Sequence, residues 1–314
     1  MSDMQSTPEV KAIFVSDVHL QQKPPLARAS EPDWFAAMAR PLNELRALQK
    51  RCNGVPIFYA GDIFDRWNSP PEVINFALKY LPSGYAIPGQ HDLPNHNYGE
   101  IKRSAYWTLV KAGTLEDVPG GCNIEVNDDL MVHGFPWGFK PEPIEPVKEL
   151  LQIAIIHSFV WTKETGYHGA PVTSRIGTYR KALQGYDAVA FGDNHKGFIK
   201  KIPDGAWICN CGGFMRRKID EVDYRPGCGL LHADGSVTRY HFTTAEECFE
   251  SVSESESVLS DKFDMEAFTE ALNELSRDGS FDFVSALKHA ITDNKVPKNV
   301  AKIILNACDE GMPK

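Results

Sequence analysis

Short apolar runs that break off into polar residues recur along the first two thirds of the chain. Residues 11–15 lead into Ser16-Asp17-Val18-His19, and residues 55–60 into Gly61-Asp62. Residues 84–88 lead into Gly89-Gln90-His91-Asp92, residues 152–156 into His157, and residues 186–191 into Gly192-Asp193-Asn194-His195. Runs of this length, rich in Val, Ile, Phe and Tyr, predict buried strands. Between the early runs, helical spacing predicts helices over 32–51, 71–81 and 101–112. Strands alternating with helices imply an α/β fold whose sheet is covered on both faces. In such sheets chemistry gathers beyond the carboxyl ends of the strands. Here five of those ends carry Asp, His or Gln.

The pattern changes after residue 218. Residues 229–242 form a predicted hairpin around an Asp234-Gly235 turn. The acidic, Ser-rich stretch 251–257 has the composition of a solvated linker. Apolar residues then return at helical spacing (Phe268, Leu272, Leu275; Phe283, Leu287; Val300, Ile304, Leu305), predicting short helices over 264–277, 281–293 and 297–309. The expected organisation is a main domain over 1–245, a linker over 246–262 and a small helical region over 263–314.

Composition narrows the setting. No run approaches the 18 apolar residues of a membrane span, and the N-terminus lacks a basic stretch followed by an apolar core, so neither membrane insertion nor secretion is expected. The seven cysteines show no regular spacing. That argues against a disulfide framework and makes a reducing cytoplasm the default. Net charge is −9, unevenly spread. Residues 246–264 hold seven acids and one base, whereas residues 174–218 hold nine bases and three acids. One face of an acidic protein can therefore still attract a polyanion.

The strand ends carry the candidate chemistry. Asp17 and His19, two apart, can face one point. Asp62, His157 and His195 end neighbouring strands. Carboxylate oxygen and imidazole nitrogen together suit Mn²⁺, Fe²⁺ or Zn²⁺. Two such ions a few ångström apart hold a phosphate and activate a water between them.

Asp17-x-His19, Gly61-Asp62-x-x-Asp65, Gly89-Gln90-His91-Asp92, His157 and Gly192-Asp193-Asn194-His195 resemble, in order and spacing, the five blocks of the calcineurin-like metallophosphoesterases. The resemblance covers residues 11–240. It implies an α/β sandwich of two mixed sheets flanked by helices, followed here by the small helical tail. It also implies two divalent cations, with Mn²⁺ first among them and Mg²⁺, Fe²⁺ or Zn²⁺ as alternatives. By this resemblance Asp17, His19 and His195 hold the first metal and Asp62 bridges. Gln90, His157 and Asp193 hold the second. His91 is the general acid, Asp92 orients it, and Asp65 supports the site from behind. Two positions depart from the family pattern. Gln90 stands where Asn is usual, and Asp193 where His is usual. Both touch the second metal.

The family hydrolyses many phosphoesters, so the fold leaves the substrate open. The basic balance of segment 174–218 suits a polyanion, and the block Gly185–His195 and the run Gly212-Gly213-Phe214-Met215-Arg216-Arg217 are most similar to SbcD-type DNA nuclease subunits. That likeness implies a phosphodiesterase acting on DNA, an exonuclease or endonuclease of the DNA-repair kind and of a reduced, phage-type form. Its tail would dock an SbcC-type ATPase. Arg216 and Arg217 are candidate phosphate contacts, and His96 is a candidate for the cleft wall. Two other readings remain open: a phosphoesterase of small nucleotides, and a non-catalytic binding or scaffold subunit whose second metal site has decayed.

Overall fold

The computed structural model describes residues 8–167 and 169–249. The predicted Ser-rich stretch, the three C-terminal helices and their ATPase-docking role lie outside the described residues.

One sheet is built from β1 (Val10–Val15), β2 (Ile57–Ala60), β3 (Gly84–Ile87), β4 (Leu115–Asp117) and two late strands. The other is built from β5 (Asn123–Asn127), β6 (Leu130–Phe135), β7 (Leu151–His157), β8 (Ala188–Gly192), β9 (Phe198–Lys201) and β10 (Trp207–Asn210). The late strands β11 (Gly227–His232) and β12 (Val237–His241) form the predicted hairpin and join the first sheet against β1. The strand orders are β12-β11-β1-β2-β3-β4 and β5-β6-β7-β8-β10-β9. Both centres are parallel, and antiparallel strands sit at the margins. Each sheet is therefore mixed, as the resemblance implies.

Alternation along the strands sorts the core into layers. Ala12 and Phe14 face inward between the sheets with Phe58, Ala60, Ile153, Ile155 and Ala190. Their neighbours Ile13 and Val15 face the other way, onto Met38, Leu42 and Leu45. Those three belong to α1 (Trp34–Arg51), capped by Asp33, whose carboxylate accepts from Ala36 N at 2.9 Å. Helices α2 (Pro71–Tyr80) and α3 (Ala105–Lys111) complete that outer layer.

Two expectations change here. The predicted helix 101–112 is broken at Ser104. Its hydroxyl accepts from Trp107 N and starts α3, while residues 98–103 coil more tightly as a 3-10 turn. A hydroxyl that caps a new helix is a stronger local signal than continued apolar spacing. Among the described residues the far face of the second sheet is also not covered by α-helix. Ala154, Ile156, Val189 and Phe191 are buried there under Val160, Ile176, Leu183 and Tyr186. These come from an irregular stretch with only short 3-10 turns. Gly and Thr are frequent in that stretch, and they disfavour helix.

Candidate metal centre

The carboxyl ends of β1, β2, β3, β7 and β8 meet at one edge of the sandwich. The loops leaving them are zipped together by backbone. Asp17 N donates to Gly61 O and His19 N to Asp62 O, both at 3.0 Å. Nine described non-glycine residues have positive φ, and four of them are Asp17, His19, Asp62 and Asp193. The left-handed region costs an L-residue energy that the surroundings must supply, so this clustering marks a site where side-chain direction is imposed by the fold. The glycines beside them are there for clearance. A Cβ on Gly61 would lie 2.1 Å from His157 Nδ1, and one on Gly89 would lie 2.1 Å from Asp62 Oδ1.

The donor atoms converge in three overlapping sets. Asp17, His19 and His195 form the first, Asp17, Asp62 and His157 the second, and His19, Asp65 and His91 the third, nearer solvent; within each set the atoms lie within 4.8 Å of one another. His19 Nε2 stands 3.1 Å from His195 Nε2, 3.9 Å from Asp17 Oδ1 and 3.7 Å from Asp62 Oδ2. Asp62 Oδ2 is also 3.4 Å from His157 Nε2, so it lies between the first two sets. The other oxygen of Asp62 accepts from His91 N at 3.0 Å. His157 Nδ1 lies 2.6 Å from Ala60 O, which can only accept. Nδ1 therefore carries the proton and Nε2 presents a lone pair inward.

Three buried acceptors at this point have no hydrogen-bond partner: Asp62 Oδ2, His157 Nε2 and Gln90 Oε1. Isolated acceptors of this kind are costly in an interior unless a cation serves them all. The electrostatics agree. Burial pushes Asp17 up to about 6, tempered by His195 and His157. Burial also works to raise Asp62, but the adjacent His157 and His19 hold it well below the usual carboxylate range. For His157, burial works downward and is overridden by the negative Asp62, which lifts the imidazole to about 10. A proton is thus drawn to a place where a divalent ion would compete for the same lone pairs.

The remaining predicted residues are placed as follows. Gln90 and Asp193 touch each other: Gln90 Nε2 donates to Asp193 Oδ1 at 2.8 Å, which turns Gln90 Oε1 inward. Asp193 itself is in none of the converging sets. Its backbone N donates to the Asp17 carboxylate at 3.0 Å. The two departures from the family pattern are therefore one coupled change, in which Gln90 reaches further and Asp193 steers it from outside. His91 is oriented differently from the expectation. Its Nδ1 is 2.8 Å from the carbonyl oxygen of Asp65. Asp92 is instead fully buried, accepting from Ile63 N, Phe64 N and Gly89 N, and it ties the β2 and β3 loops together. Burial and the nearby Asp62 charge push its carboxyl up to about 7. Asp65 Oδ1 lies 3.7 Å from His19 Nδ1 and pairs with Arg217.

Arg217 thus stands behind the site rather than in its mouth. Arg216 is further removed, engaged by Glu247 and by the Val222 and Thr244 carbonyls. His96 is exposed on the loop after Asp92, with φ of 56°. His133 is held by Gln152 Oε1 at 2.9 Å and by the Tyr186 ring, away from the ligand sets.

Sequence reasoning missed Glu221. One of its oxygens is 3.9 Å from His195 Nδ1, and the other accepts from Arg217 N and Lys218 N. It lies in a three-residue turn far along the chain from His195, and no periodicity or spacing marks it. The Asn210 amide donates to the carbonyls of Asn194 and Lys196 and braces the His195 loop.

The donor set of carboxylate, imidazole and amide oxygen, with three partnerless buried acceptors, fits a pair of divalent cations. Fold and site together define a metal-dependent hydrolase of the two-sheet α/β sandwich type. The model of the family described as calcineurin-like phosphoesterase matches residues 10–197, and the chain belongs to that family. Its members typically bind two divalent metals. No curated protein matches the sequence. Among solved structures, TT1561 of Thermus thermophilus is 13% identical, with 75% of this chain and 99% of that one covered and a TM-score of 0.45. A putative 5'-nucleotidase from Staphylococcus aureus, solved with alpha-ketoglutarate, is 12% identical over 79% of this chain and 56% of that one, with a TM-score of 0.50. A metallophosphoesterase from Sphaerobacter thermophilus is 16% identical over 75% and 89%, with a TM-score of 0.34. The likeness to the staphylococcal protein is one of fold. No helix among the described residues is long and apolar enough to cross a membrane.

Proposed function

We propose that the protein is a two-metal phosphodiesterase acting on nucleic acid, a nuclease. The observation that carries the reading is Asp62 Oδ2, a buried carboxylate oxygen without a hydrogen-bond partner, 3.7 Å from His19 Nε2 and 3.4 Å from His157 Nε2. One set would be Asp17, His19 and His195 with Asp62, the other Asp62, His157 and Gln90, with Asp193 fixing Gln90. Cations there supply Lewis-acid polarisation of the phosphoryl oxygens and lower the pKa of a water.

The chain's own residues do the rest. His91 stands beside His19, ring centroids 5.0 Å apart, on the solvent side. With Nδ1 held by the Asp65 carbonyl, Nε2 is the nitrogen that exchanges a proton with the leaving oxygen. Glu221 steadies His195 in its ligating orientation. A cavity of about 530 Å³ opens over Gln90, His91 and His195, lined by Lys196 and Lys218 and also by Asp193, Asp220 and Glu221. The two ammonium groups offer a contact to a second phosphate beside the one at the metals, which supports a phosphodiester substrate over a simple monoester.

The test is a hydrolysis assay with Mn²⁺, Mg²⁺, Fe²⁺ and Zn²⁺ in turn, on single- and double-stranded DNA and on a panel of nucleotides. Wild type is run beside His91→Ala and Asp62→Ala. Metal-dependent cleavage of DNA, reduced in both variants, is the expected result. Turnover of nucleotides alone would favour the small-molecule phosphoesterase. DNA binding without turnover under any ion would favour the scaffold reading.

A further inference from the structure

A second cavity, of about 570 Å³, has His157 in its wall. Its walls include the rings of Trp137, Phe139 and Tyr179, with Lys140 and Ser158 as polar groups. The hydrolytic step described above uses none of these five. Trp137 is one ring away from the candidate ligand His157, centroids 6.4 Å apart, and its backbone N donates to Pro88 O beside the Gly89-Gln90 loop. The three rings are braced from behind. Tyr179 meets Phe191 edge-on at 5.5 Å, and its hydroxyl lies 3.1 Å from Ser158 Oγ. Phe139 meets Tyr98 at 5.0 Å, and Gly120 leaves room for it, since a Cβ there would lie 2.5 Å from the ring. Lys140 is exposed and has no ion-pair partner among the described residues.

We propose that this cavity is the subsite for a nucleobase of the substrate whose phosphate lies at the metal centre. This inference rests on the function proposed above and deepens it. Flat, pre-positioned aromatic side chains offer a stacking surface to any base. The volume falls in the range of pockets that hold small organic ligands. The Ser158 and Tyr179 hydroxyls offer hydrogen bonds to ring edges, and the Lys140 ammonium suits an adjoining phosphate. A lipid chain or an apolar peptide would gain from the rings but leave the hydroxyls and the lysine unused. The base comes either from a free nucleotide or from the end of a strand, and both present the same ring.

The test uses the full chain stripped of metal, so that binding is read apart from hydrolysis. Thymidine, adenosine and deoxyribose are titrated by calorimetry and by ligand-observed NMR. Both nucleosides bind saturably and deoxyribose does not. Trp137→Ala weakens nucleoside binding about tenfold or more. Ala182→Phe, which fills the cavity from its half-buried wall without removing a ring, does the same while thermal melting reports an intact fold. Competition by thymidine monophosphate against tetrathymidylate then tells a free nucleotide from a strand end, and preference for either supports the subsite. Absence of nucleoside binding, or binding indifferent to both substitutions, overturns the proposal even if metal-dependent hydrolysis stands. Nucleoside binding without hydrolysis under any divalent ion would instead overturn the catalytic reading and leave the subsite in place.

Discussion

Two buried polar clusters in this molecule are built on opposite plans. The candidate metal centre gathers Asp17, Asp62, His19, His157 and His195 and leaves acceptors bare. The second cluster sits where residues 26–31 meet residues 244–249. There Glu31, whose side chain is fully buried, accepts from Arg28, from Arg40 at 3.1 Å and from Cys248 N at 2.9 Å. Arg28 also reaches Glu247, and its guanidinium lies between the rings of Trp34 and Phe249 at 5.7 and 5.1 Å. Arg216 pairs with Glu247 from the other side. This clasp carries its own cations and saturates its carboxylates. At the candidate metal centre the counter-charge among the converging donors is a proton that Asp62 draws onto His157, where a divalent ion would compete for the same lone pair. Buried negative charge is tolerated in both places, but only in the second do permanently charged guanidinium groups meet it.

Experiments can break that contrast. The largest effect is expected from Asp62→Asn. Wild type should be stabilised by Mn²⁺, by about 2.7 kcal/mol at a hundredfold excess over the dissociation constant. The variant should lose that stabilisation in thermal melts, bind less metal by elemental analysis and lose turnover. An Asp62→Asn protein with unchanged metal content would contradict the centre as described. His91→Ala should keep its metals while its rate falls by about 10²–10⁴, the span expected of a general acid. A loss of metal instead would place His91 among the ligands.

Glu31→Gln tests the clasp. Breaking a buried ion pair from one side costs about 3–5 kcal/mol, so urea unfolding should show a loss of that order, with activity per folded molecule retained. Glu221→Gln should act between the two regions. Metal affinity should weaken about 10- to 100-fold, as for other groups that orient a ligating histidine, and competition with a chelating dye would measure it. The smallest effect is a pH dependence of the clasp. Burial works to raise Glu31, but the hydrogen bonds from Arg28 and Cys248 N outweigh it and hold its pKa below the ordinary 4.5. The folded protein therefore binds fewer protons there than the unfolded chain. The stabilisation is present above about pH 4.5 and is lost as pH falls through the folded value. Wild type should lose stability in that acid window more steeply than Glu31→Gln. Parallel profiles would mean that Glu31 is not the group responsible.

Much of the metal centre was legible before any coordinates. Each ligand-bearing block follows a short apolar run, and a parallel strand must deliver its next residues to the same edge as its neighbours. Asp17, His19, Asp62, His157 and His195 converge for that reason. The glycines in the blocks were also visible, though not their purpose, which is clearance for His157 and Asp62. The clasp was not legible. Glu246 and Glu247 lie in an acidic stretch with the composition of a linker, and Arg216 stands in a basic run that suggested phosphate contact. Yet Arg216 and Glu247 find each other across the fold. Composition counts charges but does not say which of them will be neighbours.

By itself the sequence determined the strand pattern, the family and which residues gather at the strand ends, because a continuous apolar run and the polar residues that close it are local properties of a short segment. Only the tertiary structure decided how those donors are used. It paired Gln90 with Asp193, gave the orientation of His91 to a carbonyl of Asp65, set Glu221 behind His195, and opened an aromatic cavity beside His157. Each of these joins residues far apart in the chain, and only the stacking of the two sheets fixes the distances between them.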